Sequence, residues 1–192
     1  MDPINIIVGL NLMATFGANV SGAKKGVKDK VGVFKEKPKT YLQTLPLVFS
    51  TLTLILLILG VFRVGTLEYK DDFQIFRIIG LGFYLTFSWI QIWAFKVLGE
   101  NYSQDIAIKK THQLVTRGPF RLIRHPQYIS QILMDLGGAV ATISFILAPL
   151  AIIQIPFLFM RASLEDKLME KHFGENYKSY RKKAGKFFPF IG

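Results

Sequence analysis

Four stretches of this chain run long and apolar with almost no charge, and that pattern rules out most of the ways a chain can fold. Residues 4–20, 41–62 and 78–95 hold no Asp, Glu, Lys or Arg, and 129–160 holds one, Asp135. The 41–62 stretch matches the roughly 20 residues that cross a bilayer's hydrocarbon. Trp89 and Trp93 fall toward the end of 78–95, where aromatic belts sit. The 129–160 block is too short for two full spans and a turn, so it suits a helical hairpin. Its Gly137, Gly138, Ser144, Pro149 and Pro156 supply bends and close helix contacts. The pattern predicts an all-α integral membrane protein with about five transmembrane helices, the last two a hairpin.

Charge gives the orientation. Of 24 basic residues, seven follow the first stretch (Lys24, Lys25, Lys28, Lys30, Lys35, Lys37, Lys39) and six follow the third, from Lys96 to Arg124. Eight more follow the hairpin, from Arg161 to Lys186, leaving only Arg63, Lys70 and Arg77 for the other side. By the positive-inside rule the larger sets face the cytoplasm and the N-terminus lies outside. Asp2 is the only charge before residue 4. A signal peptide would need a basic segment there, so the first stretch reads as a membrane helix. The net charge of +11 is then explained by topology and anionic lipid, with no nucleic-acid partner. The chain has no cysteine, which excludes disulfide staples, a thiol nucleophile and cysteine-ligated zinc. Its 192 residues suit one domain. Residues 1–98 form a three-helix N-terminal part, and 99–192 a catalytic region with the hairpin and a cytoplasmic C-terminal helix.

The polar chemistry gathers in two places. Residues 112–128 read HQLVTRGPFRLIRHPQY. Gly118–Pro119 breaks the chain, and Pro126 biases His125 away from helix. The fourth helix therefore starts after His125, with Tyr128 in its first turn and its free N–H groups open to an anion. Residues 161–180 read RASLEDKLMEKHFGENYKSY. Arg161 and Glu165 share a helix face where membrane meets cytoplasm, and Gly174 ends that helix. Plain alternatives exist: an i, i+4 ion pair for Arg161 and Glu165, a structural hydrogen bond for His125. No metal-site spacing such as HExxH is present. Asp135 is either functional or a packing hydrogen bond. The GLGF at 80–83 reads as close helix packing. The end of the chain, KKAGKFFPFIG, either dips Phe187, Phe188 and Phe190 into lipid or packs on the catalytic segment.

The combination of HQLV, RGPFRLIRHPQY, Arg161 with Glu165–Asp166, and FGENYKSY resembles the isoprenylcysteine carboxyl methyltransferase family. That family sits in a wider group of integral membrane methyltransferases that includes phospholipid methyltransferases. The likeness covers residues 98–192 with order and spacing preserved. It implies an S-adenosylmethionine cofactor held by a cytoplasmic region without a Rossmann fold. The cofactor positions it implies are His112, Gln113, Leu114, Val115, Gly118, Phe120, His125, Pro126, Gln127, Tyr128 and Glu165. It implies catalytic roles for Arg161 and Glu165, with Arg161 also on the acceptor side. Phe120 departs from the family's usual tyrosine and loses a hydroxyl contact. Some relatives use a glutamine near the position of Gln104. The implied function is methyl transfer to a lipophilic acceptor such as the carboxylate of a prenylated cysteine. Alternatives are an amine-headed phospholipid acceptor, a sterol-type reductase using NADPH that shares the RHPxY element, or a scaffold without activity. An acceptor already ionised as a carboxylate needs no base, and a guanidinium is built to hold it.

Overall fold

The computed structural model describes residues 2–28 and 34–191, except for the side chains of 18–28. Lys30 therefore lies outside the described residues, and nothing is said of the side chains of Lys24, Lys25 and Lys28. The chain runs α1 (Pro3–Lys28), β1 (Phe34–Glu36), α2 (Leu45–Val61), α3 (Gln74–Leu98), β2 (Ile108–Lys109), α4 (Pro126–Thr142), α5 (Leu147–Phe173) and α6 (Glu175–Arg181).

Among the described residues, three segments are long and apolar enough to cross a membrane: Tyr41–Val61, Asp71–Asn101 and Leu147–Phe173. The apolar part of α1, Pro3–Gly17, is shorter. The outward surface suits lipid, since Trp89, Trp93, Ile75, Phe76, Ile152 and Ile153 all point away from the core. The elements outrun the apolar blocks. The third helix covers Gln74–Leu98 where 78–95 was expected, and the 129–160 block becomes α4 and α5, the latter continuing to Phe173. A helix whose polar part still buries one face has no reason to stop where its hydropathy does. The all-α expectation also needs one amendment. A short antiparallel pair joins Phe34 to Lys109 and Glu36 to Ile108. Strands of two and three residues leave too little alternation to read from sequence.

The helices pack through small residues and a few polar ties. A Cβ on Gly137 would lie 2.6 Å from the Tyr84 nitrogen, and one on Gly80 would lie 2.7 Å from the Ala141 nitrogen. Glycine at both places lets α3 and α4 approach backbone to backbone. At the end away from β1 and β2, Arg77 is only 2% exposed. It meets both carboxylate oxygens of Asp2 at 2.5 and 3.0 Å and donates to the Ala141 carbonyl at 3.0 Å. The 63–67 loop joins the α4–α5 turn at that end, Leu67 N–H bonding the Ile143 carbonyl.

The opposite end gathers the described parts of the three basic segments. Lys37 pairs with Asp105 and Lys171 with Glu36, and Gln43 bonds the backbone of Ile106 in both directions. Leu42, Ile106, Ile108 and Leu168 form a buried cluster beneath them. Two connections far apart in sequence thus meet against the far part of α5.

Candidate active site

Pro126 is the first residue of α4 and His125 its cap, with φ −123° and ψ 58°. That conformation is not helical, as expected for a residue before proline. The N–H groups of this helix start are less available than the sequence suggested. Those of Arg124 and His125 go to the carbonyls of Gly185 and Lys186, and those of Tyr128 and Ile129 close on the His125 carbonyl. The C-terminal segment takes these donors because it runs alongside the loop before α4. Phe187 is buried there, 4.2 Å from the Phe159 ring and 5.9 Å from the His125 ring. Phe188, Phe190 and Ile191 stay exposed. Of the two expectations for the end of the chain, packing on the catalytic segment is the one Phe187 meets, and it does not point outward with Phe188 and Phe190.

His125 is fixed from two sides. Its Nε2 lies 2.7 Å from Asp166 Oδ1 and its Nδ1 3.5 Å from Glu165 Oε2. Asp166 also accepts from the Tyr177 hydroxyl at 2.5 Å and faces Arg124 at 3.4 Å. Burial alone would lower the imidazole's pKa. The hydrogen bonds and charges of Asp166 and Glu165 outweigh it and raise the value above 6.5. The two carboxylates thus favour the charged imidazolium more than water does.

Glu165 in turn accepts from the Tyr128 hydroxyl and sits 3.5 Å from Arg161 Nε. Arg161 donates through Nε to the Tyr128 oxygen at 2.7 Å, through Nη1 to the Leu42 carbonyl at 3.1 Å and through Nη2 to the Gln104 carbonyl at 2.5 Å. The i, i+4 contact with Glu165 is real, but it is the smaller part of what Arg161 does. The guanidinium ties α4, α5, the 41–43 turn and the 103–106 segment to one point. Each terminal nitrogen makes one of its two possible donations among the described residues, so two N–H groups remain for a ligand.

These residues stand around one cavity of about 470 Å³, within the range of cofactor sites. Of the positions singled out from sequence, His112, Gln113, Leu114, Val115, Phe120, His125, Gln127, Tyr128, Arg161 and Glu165 line it. Gly118 and Pro126 do not. Gly118 faces α3, where a Cβ would lie 2.9 Å from Val97, and Pro126 is buried at the helix start. Phe120 is 4% exposed, and its carbonyl accepts from the Tyr180 hydroxyl at 2.6 Å. A ring without a hydroxyl therefore still closes the cavity wall. The backbone N–H of Gln113 bonds Asn101 Oδ1 at 2.8 Å.

The His112 imidazole is pushed down to about 4, first by burial and then by His172 and Lys109. It is neutral at pH 7, and its buried Nδ1 has no partner among the described residues. Gln127 Oε1 is likewise buried without a partner. Unmet polar atoms in a cavity wall are what a polar ligand would satisfy. Asp166 and Tyr177 are the residues sequence reasoning left without a role. They stand next to Glu165 and inside FGENYKSY, yet nothing local announces that they meet around His125.

The comparisons with known proteins agree with this architecture. The family model described as phospholipid methyltransferase matches residues 75–176. The protein-S-isoprenylcysteine O-methyltransferase of Schizosaccharomyces pombe is 29% identical over 122 residues, covering 62% of this chain and 52% of that protein. The enzyme of the same name from Xenopus laevis is 30% identical over 135 residues, covering 68% and 47%. This chain thus spans about half the length of those relatives. A solved structure of the eukaryotic intramembrane Ras methyltransferase, isoprenylcysteine carboxyl methyltransferase, shares the fold. Its TM-score is 0.63 at 22% identity, covering 100% of this chain and 69% of that one.

Proposed function

The chain belongs to the phospholipid methyltransferase family, and from that membership we propose that it is a membrane-embedded, S-adenosylmethionine-dependent methyltransferase acting on the carboxylate of a lipophilic acceptor, of which a prenylated cysteine is the model. The observation that carries this is the convergence of Arg161, Tyr128, Glu165 and His125 on one cavity that also reaches the apolar helices. In this reading the chain crosses the membrane five times, α4 and α5 form a hairpin, and the cavity opens to the cytoplasm.

The residues present fit the cofactor. Unpartnered His112 Nδ1 and Gln127 Oε1 offer polar contacts beside the apolar walls of Leu114 and Val115. Glu165, oriented by His125 and Tyr128, would take an amino or hydroxyl group. S-adenosylmethionine, when bound, supplies an electrophilic methyl group. The chain's own work is to orient and to exclude water. Arg161 would hold the acceptor carboxylate through its two remaining N–H groups, its plane already fixed by Tyr128, Leu42 and Gln104.

The family's description makes an amine-headed phospholipid the second reading. An ammonium must lose a proton before it can accept a methyl group. Glu165 is already engaged by His125, Tyr128 and Arg161, and Arg161 is no base. The carboxylate acceptor is therefore preferred. The test is transfer of labelled methyl groups from S-adenosylmethionine to a farnesylated cysteine analogue by purified protein in detergent, read as base-labile label. Base-labile transfer supports the carboxylate reading. Label appearing only on amine-headed lipids would replace it with the second, and no transfer to either overturns both.

A further inference from the structure

The cavity does not end at Arg161. It continues along α4, where Tyr128, Gln131 and Asp135 recur on one helix face and all line it. Asp135 stands roughly 10 Å of helix rise beyond Tyr128. It is 5% exposed, and its partners are all neutral. Its Oδ2 accepts from Gln131 Nε2 at 3.1 Å and from Gln154 Nε2 at 2.6 Å, and Thr53 lines the same cavity. Gln131 Oε1 accepts from Gln91 Nε2 at 3.1 Å.

Methyl transfer at Arg161 uses none of these groups. A carboxylate and two glutamine amides among membrane helices are costly to keep without a purpose. A hydrocarbon chain laid along this wall would leave them facing alkane.

We propose that Gln91, Gln131 and Asp135 form a second acceptor subsite, which takes a hydroxyl carried on the acceptor's chain roughly 10 Å from its methyl-accepting oxygen. The inference rests on the lipid-methyltransferase reading and narrows its substrate class. An ammonium could pair with the Asp135 carboxylate, but bringing it out of water costs far more than bringing a hydroxyl, which assigns the hydroxyl.

The test is equilibrium binding of the full chain in detergent, by calorimetry, to three probes. They are an S-prenylated N-acetylcysteine, the same molecule with a hydroxyl at that distance, and the same with an amine there. Methyl transfer is scored on the same samples. The hydroxylated probe is expected to bind about tenfold more tightly than the plain one, about 1.4 kcal/mol. In Asp135→Leu the ratio falls to about one, on the same energy scale. The isosteric Asp135→Asn lowers the ratio severalfold and answers the question if the Leu variant does not fold. Equal or weaker binding of the hydroxylated probe overturns the subsite, as does a preference that survives both substitutions. Tighter binding of the amine overturns the hydroxyl assignment. The hydroxyl preference without transfer to any probe would support the subsite and sink the methyltransferase reading separately.

Discussion

Asp166 lines no part of the cavity, yet it sets how His125 stands there. Replacing it with Asn keeps the shape but removes the charge that Nε2, the Tyr177 hydroxyl and Arg124 share. A charge-assisted hydrogen bond contributes about 1.5–3 kcal/mol. Asp166→Asn should therefore weaken S-adenosylmethionine binding by roughly ten- to a hundredfold, read by calorimetric titration. Protonation gives a second test. The folded pKa of His125 lies above its unfolded value of 6.5, so its contribution to stability is complete below 6.5 and is lost as pH rises through the elevated folded value. Melting curves in detergent should show wild-type stability declining as pH climbs through that window. His125→Gln should be less stable below it and show a smaller decline. An identical slope in both would remove His125 as the source.

At the scale of elements, the contacts that matter most are between helices and between the last segment and the loop before α4. The Gly137 Cβ position lies 2.6 Å from backbone of α3, which cannot give way as a side chain would. Gly137→Val should lower stability by about 1–3 kcal/mol, measured by thermal unfolding. A C-terminal cut after Lys183 would remove Gly185 and Lys186, whose carbonyls take the N–H groups of Arg124 and His125, and Phe187 with them. The truncated protein should keep its helical circular dichroism and lose cofactor binding. Retained binding would show that the α4 start holds its shape alone.

The whole molecule is organised by charge and length. Lys37, Lys171 and Lys178 lie at the cavity end, while Glu68 and Lys70 lie beside the loop that joins the α4–α5 turn. The chain lacks cysteine, so single cysteines report topology without background. Lys178→Cys should react with an impermeant maleimide only from the cytoplasmic side, and Glu68→Cys only from the opposite side. Reaction of both from one side would overturn the proposed crossing pattern.

The helices, their order and the clustering of basic charge were legible in the sequence, because apolar length and charge asymmetry are local quantities. The turn at His125–Pro126 and the stop at Gly174 were legible for the same reason, each set by one or two residues. The site was legible only as a set of motifs. What Arg161 holds was not, because its partners Leu42 and Gln104 lie in other connections and offer only backbone carbonyls, which carry no signature of residue type. The same holds for Asp166 with Tyr177, for the C-terminal carbonyls that occupy the α4 start, and for Asp135 among Gln131, Gln154 and Thr53. Hydropathy decides which segments can enter a membrane, since transfer energy adds up along a segment. Which polar groups then meet inside the bundle depends on how the helices rotate and approach one another, and only the folded arrangement decides that.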